Sequence, residues 1–127
     1  MVAVIGKIKY GSTGFRFQPT LTLDGAPIDL VAAGVSASNL AVSFRRAGEP
    51  ATTVAGNGSF TIVQTGQGQS AVNAGAISYA PTWGVGNDLQ QPAAGATDDY
   101  EAEFSVNLPG TGLVVMDTVT FGVTARL

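Results

Sequence analysis

Residues 100–108, Tyr-Glu-Ala-Glu-Phe-Ser-Val-Asn-Leu, alternate between apolar and polar side chains along their whole length. A β-strand points successive side chains to opposite faces, so the stretch predicts one strand with a buried face and a solvent face. The residues expected on the buried face are Tyr100, Ala102, Phe104, Val106 and Leu108. Helical periodicity is nearly absent from the chain, and this alternation therefore predicts an all-β protein.

The same alternation recurs in shorter segments. In the last ten residues, apolar side chains at 119, 121, 123, 125 and 127 alternate with an outer face that includes threonine at 118, 120 and 124, and threonine suits the outer face of a strand. Further strands are predicted at 21–23, 40–46, 60–62 and 77–79, with one or two more between residues 8 and 17. Leu113 and Val115 are expected either to begin the last strand or to form a short one of their own.

Turn-forming pairs separate these segments. Asp24-Gly25 and Asn57-Gly58 are favoured hairpin turns because both residue types tolerate positive φ, and Pro109-Gly110 is a third turn pair. Seven or eight short strands at this spacing, in a chain of 127 residues, predict a single-domain antiparallel β-sandwich. An up-and-down barrel is the alternative.

The composition narrows the chemistry. The chain contains no His and no Cys, which excludes Ser-His triads, thiolate nucleophiles and nearly all transition-metal sites. A net charge of −3 gives no basic footprint for nucleic acid and disfavours an anionic membrane. We therefore expect a protein that is not an enzyme, binds no cofactor and engages neither nucleic acid nor membrane.

The N-terminus has no basic leader, and its apolar run is too short for a signal peptide. We expect synthesis in the cytoplasm.

An acidic cluster lies at the start of the long alternating strand. Asp98, Asp99, Glu101 and Glu103 either hold a calcium ion, form an acid/base pair, or line a solvated strand face. The solvated face is the favoured interpretation, with Arg45 opposite Glu101 or Glu103 in one sheet. Calcium is the weaker candidate.

Two other groups of side chains are candidate binding sites. Lys7, Lys9, Arg16 and Arg126 are candidate partner-binding residues at the chain ends, and the alternative is an ordinary edge strand. Trp83, the only tryptophan, is favoured as a core residue, with a sugar-stacking platform aided by Tyr10 or Tyr100 as the alternative. Two long loops, residues 64–75 and 83–98, are expected to be functional or flexible.

Four short segments follow one another in an order that resembles the motif order of a known protein family. They are Asp24-Gly25 followed by Pro27-Ile28-Asp29-Leu30, then Val42-Ser43-Phe44-Arg45-Arg46, then Gly75-Ala76-Ile77-Ser78-Tyr79, and finally the strand from Tyr100. Across residues 20–108 the chain resembles the N-terminal domain of the phage baseplate upper protein family.

The resemblance implies an Ig-like sandwich that attaches one structural protein of a bacteriophage virion to others. It divides the chain into an arm or edge strand at 1–19 and an Ig-like core at 20–127. The expected role is a non-enzymatic tail, baseplate, neck or head-surface protein that contacts other virion proteins and copies of itself, through strand addition by its ends. The alternative function is a carbohydrate-binding or adhesion module.

Overall fold

The computed structural model describes residues 3–47, 53–64, 73–116 and 118–126. These residues form ten β-strands, one three-residue 3-10 helix and no α-helix. The strands are β1 (Ala3–Lys9), β2 (Thr22–Leu23), β3 (Ala26–Pro27), β4 (Leu40–Arg46), β5 (Thr53–Ala55), β6 (Ser59–Ile62), β7 (Ile77–Ala80), β8 (Thr97–Leu108), β9 (Gly112–Val115) and β10 (Val119–Thr124). The predicted all-β sandwich class is confirmed.

The main sheet is built around β8. Its strands follow the order β1-β10-β8-β4-β5, and β9 pairs with the second half of β8, beyond the end of β10. All five side chains predicted to face inward from β8 are buried, with at most 6% of their surface exposed. The alternation therefore predicted both the strand and its orientation.

The first strand runs parallel to the last one, which differs from the antiparallel arrangement predicted for the whole sheet. Six residue pairs join β1 to β10, with a bulge between Val4 and Gly6, where Gly6 has a φ of 100°. After β1 the chain turns and crosses to the other layer, so β1 lies beside β10 without a hairpin between them. The main sheet is therefore mixed.

The second layer covers the inner face of this sheet. It consists of the β6–β7 hairpin and the segment around Phe17 and Thr20, which forms isolated bridges to Tyr79 and Ala76. This two-layer strand arrangement is that of a β-sandwich.

Aromatic side chains fill the space between the layers. The Phe17 ring lies 5.0 Å from Phe121, 5.8 Å from Phe44, 6.0 Å from Phe104 and 6.4 Å from Tyr79, measured between ring centroids. Antibody domains place an inter-sheet disulfide in this space. In a chain without cysteine, aromatic packing joins the two sheets instead.

Two turn predictions had different outcomes. Asp24 and Gly25 have φ values of 53° and 80° and connect β2 to β3, as expected for a type I′ hairpin. Asn57-Gly58 is not a hairpin turn, because β5 and β6 belong to different sheets and neither residue has positive φ. A Cβ at position 58 would overlap the carbonyl oxygen of Ala80, so this glycine permits a close crossing between sheets.

The two leucines of the strand predicted at 21–23 differ in burial. Leu21 is fully buried, whereas Leu23 is 40% exposed. Leu23 directly precedes the Asp24-Gly25 turn, and residues 23–27 of the short β2–β3 hairpin are all exposed.

Candidate functional site

The acidic residues of β8 do not converge on one point. Glu101 lies opposite Arg45 in the sheet, and its Oε2 accepts a hydrogen bond from Arg45 Nη2 at 2.8 Å, which confirms the predicted cross-strand pair. Asp98 lies on the other face, 3.4 Å from Arg46 Nη2. Asp99 and Glu103 are exposed on the same face as Glu101.

This arrangement favours a solvated strand face over a cation site. Alternation separates Asp98 from the other carboxylates, and arginines neutralise two of the four. Within the described ranges, no three carboxylates are grouped so that they could hold a metal ion. The structure therefore does not bring the calcium candidates Asp98, Asp99, Glu101 and Glu103 together.

A shallow pocket lies over Glu101 and Glu103. Its volume is about 100 Å³, and Arg45 also lines it. Ligand pockets usually measure roughly 300–1,000 Å³, so this depression is too small to enclose a sugar ring between two carboxylates.

The basic residues named from the sequence fall into two places. Lys7 and Lys9 point outward from β1, opposite Gly122 and Thr124, and Arg126 follows β10 close to the turn after β1. Arg16 does not join them, because its Nη1 donates to the carbonyl oxygens of Thr13 at 2.7 Å and Phe15 at 2.8 Å. The neighbouring Phe17 belongs to the second layer.

Trp83 is half-buried at the end of the molecule where β8 begins. Its ring packs edge-to-face on Tyr10, with centroids 5.3 Å apart and planes at 82°, and contacts the edge of the core. Tyr100 does not contribute to this surface, because it is buried and stacks on Phe121 at 5.5 Å. Of the two proposed helpers for a sugar platform, the structure places only Tyr10 beside Trp83.

Sequence reasoning missed a buried polar cluster centred on Asp88. Asp88 is 3% exposed. Its Oδ1 accepts a hydrogen bond from Asn57 N at 2.9 Å, and its Oδ2 accepts from the Tyr79 hydroxyl at 2.5 Å and from Thr82 N at 3.2 Å. One carboxylate thereby ties together the sheet crossing at 57–58, the end of β7 and the loop that follows it.

The hydroxyl of Tyr79 completes this cluster. It accepts a hydrogen bond from Gly58 N at 2.7 Å while it donates to Asp88. Burial, followed by the hydrogen bond to Asp88, raises the pKa of Tyr79 well above its ordinary value. The phenol therefore stays protonated and acts as a structural donor rather than as a reactive group.

The cluster fixes the loop that we call the end loop, residues 81–96. Asn87 N donates to Gly84 O at 3.0 Å, and Gly86 has a φ of 81°, so residues 84–87 form a tight turn. Val85 lies at its tip and is 95% exposed. Tyr100 stabilises the second half of the end loop. Its hydroxyl accepts hydrogen bonds from Gln90 N at 3.2 Å and from Arg46 Nε at 3.3 Å.

A second set of exposed apolar side chains lies on β9. Leu113 is 68% exposed and Val115 is 50% exposed, on the outer face of the main sheet. Val114 and Met116 point the other way and pack against the core. The apolar residues of β9 therefore lie on both faces of the strand. The sequence shows that these residues are apolar, but it does not indicate which of them remain exposed.

Comparisons of this chain with protein-family models, curated proteins and solved structures found no match. In the described part of the chain, no helix is long and apolar enough to span a membrane. The functional interpretation therefore depends on the geometry above and on the order of the sequence motifs.

Proposed function

We propose that this protein is a non-enzymatic structural component of a bacteriophage virion, in the tail, baseplate, neck or head surface. It assembles through contacts with other virion proteins and with copies of itself. The observation that carries this proposal is the display of exposed apolar side chains on hydrogen-bonded backbone. Val85 sits at the tip of a tight turn, and Leu113 and Val115 sit on a paired strand.

Such side chains favour association because burial of each one removes apolar surface from water, at about 25 cal/mol per Å². The turn and the strand that carry them are already held by hydrogen bonds of neighbouring residues, so little conformational entropy is lost on binding. A surface with few charges also loses little hydration when it is covered. These properties support an assembly role for the sandwich.

The sequence motifs support the virion assignment. The segments that resemble the phage baseplate upper protein family fall on β4, β7 and β8 and on the β2–β3 turn, all parts of the sandwich itself. The arrangement of the carboxylates supports a non-enzymatic role, since Arg45 pairs with Glu101 and both depressions that Glu101 lines, one with Glu103 and one with Asp99, are open to solvent.

The terminal strands β1 and β10 are not free to add to a neighbour's sheet in the way that the sequence led us to expect. Strand addition by free chain ends was the expected route, but β1 and β10 pair with each other within one chain. Lys7 and Lys9 remain exposed on the outer face of β1 and are available to an acidic neighbour.

Mass spectrometry of purified phage particles tests the proposal. We expect peptides of this chain in stoichiometric amounts that remain after high-salt washing, because apolar contacts are not screened by salt. Absence of the chain from particles whose other structural proteins are all detected would contradict the virion role. Glycan binding that Trp83→Ala abolishes would instead favour the carbohydrate-binding alternative.

A further inference from the structure

The outer edge of β9 carries backbone groups that are free to pair. Met116 N donates to Phe104 O at 2.9 Å, so Met116 points its backbone groups toward β8. Backbone direction alternates along an antiparallel strand, and the N–H and C=O groups of Leu113 and Val115 therefore point away from β8. Among the described residues no strand pairs with this edge, and the first described residue of β1, Ala3, lies opposite Val119 of β10.

The other two edges of the main sheet are protected, and this one is not. Edge strands are commonly blunted by lysines, bulges or short length. β1 has Lys7, Lys9 and a bulge at Gly6, and β5 has only three residues before the chain leaves the sheet. β9 has no charge, no proline and no bulge in its pairing with β8, and two of its four residues are exposed apolar ones.

The segment around β9 is compatible with itself. No residue from Leu108 to Met116 is charged, so two copies of it brought side by side place no like charges opposite each other. A two-fold axis also preserves the face to which each side chain points, so the exposed residues of both copies would lie on one continuous outer face.

We propose that β9 pairs in antiparallel fashion with β9 of a second copy of this chain, about a two-fold axis at Val114. Leu113 then lies opposite Val115 of the second copy, and Val115 opposite its Leu113. The inference deepens the proposed function by naming the surface through which copies of the chain meet.

This register uses all the free groups. Each Leu113–Val115 pair exchanges two hydrogen bonds, and the apolar side chains form two cross-strand contacts. A register centred on Leu113 would instead place Val115 opposite Thr111. Thr111 N is already committed to Leu108 O at 3.0 Å within the turn, so that register loses hydrogen bonds.

Engineered disulfides test the register, since the chain has no cysteine of its own. Directly opposed residues in such a pair have Cα atoms about 5.5 Å apart. Diagonal neighbours are roughly 7–8 Å apart, at or beyond the limit for a disulfide. We expect rapid cross-linking when Leu113→Cys and Val115→Cys proteins are mixed under oxidation, and slow cross-linking of either protein alone. Equal cross-linking of Leu113→Cys alone would overturn the register.

Sedimentation equilibrium at protein concentrations up to about 1 mM tests the contact itself, because so short an edge is at the weak end of interfaces. We expect a monomer–dimer equilibrium whose dissociation constant rises roughly tenfold in Leu113→Lys, since a lysine at an edge strand opposes pairing. Leu23→Lys is the matched control, because it makes the same substitution at an exposed leucine of β2, which belongs to a different sheet. A wild-type chain that stays monomeric throughout would overturn the proposal.

The two proposals fail in different ways. A monomeric chain that is nevertheless present in particles removes β9 pairing and leaves the virion role intact. A dimer with the expected cross-links, in a protein absent from particles, removes the virion role and leaves β9 pairing intact.

Discussion

Asp88 is the residue whose environment departs most from what its type usually has. A carboxylate is rarely buried unless it is paired or fully hydrogen-bonded, and here it has no cationic partner among the hydrogen bonds that hold it. Three donors from three segments satisfy it instead. Asn57 N and Thr82 N are backbone groups, so this aspartate stabilises the chain path itself as well as a side chain.

Asp88→Ala should lower the free energy of unfolding by about 3 kcal/mol, because it leaves buried donors without acceptors. Asp99→Ala is the matched control, since Asp99 is exposed, and it should change stability by less than about 0.5 kcal/mol. Urea denaturation measures both values. Equal effects of the two substitutions would show that the hydrogen bonds to Asp88 add nothing to the free energy of unfolding.

Tyr79 makes stability depend on pH in the alkaline range. The unfolded phenol ionises near its ordinary pKa of 10.0, while the pKa in the folded protein is raised. The stabilisation is therefore complete below pH 10.0 and is lost as the pH rises above it, at about 1.4 kcal/mol per pH unit. Unfolding free energies measured on both sides of that pH should show a shallower fall in Tyr79→Phe than in the wild type. Tyr10→Phe should retain the wild-type contribution of Tyr79.

At the level of elements, β1 is an integral strand rather than a detachable arm. Ile8 lies opposite Val123 in the sheet and is 6% exposed, and Tyr10 N donates to Thr124 O at 2.9 Å. The basic side chains that prompted the docking interpretation share a strand with a core residue. Their position on the outer face follows from the burial of Ile8.

Ile8→Ala should therefore destabilise the whole protein by about 2–4 kcal/mol, as expected for a buried isoleucine. Lys9→Ala, one position along the same strand, should stay within about 0.5 kcal/mol of the wild type. Thermal or urea unfolding distinguishes the two. A negligible effect of Ile8→Ala would indicate that β1 dissociates from the sheet without cost.

Strands and loops differed in how much of them the sequence could predict. β4, β8 and β10 were predictable because one face of each is buried and the other is wet, which leaves a period of two in the residues themselves. Asn57-Gly58 was misread because the same dipeptide suits a hairpin and a close crossing, and only tertiary contacts distinguish them. Asp88 gave no local signal, since its partners come from segments up to 31 residues away.

At the level of the whole molecule, one core joins both sheets and both ends of the chain. Phe17 comes from the first part of the chain, yet it packs against Phe44, Phe104 and Phe121 of the main sheet. If residues 1–19 and 20–127 unfolded independently, the boundary between them would separate Phe17 from the rings that it contacts. We therefore expect the chain to unfold as a single cooperative unit.

Two probes at different places test this cooperativity. Trp83 is the only tryptophan and reports on the end loop through its fluorescence, whereas circular dichroism reports on all strands. The two urea transitions should coincide in midpoint and slope. An earlier fluorescence transition would show that the end loop melts before the sandwich.

Aromatic packing joins the two sheets of this β-sandwich without a disulfide, so their connection does not depend on the redox surroundings. With no thiol in the sequence, there is no bond for glutathione to reduce and no oxidation step that folding must await. The rings between the sheets need no oxidant to make their contacts. We infer that the protein reaches the same folded state and the same stability under reducing and oxidising conditions, so it keeps its shape in passing from one to the other.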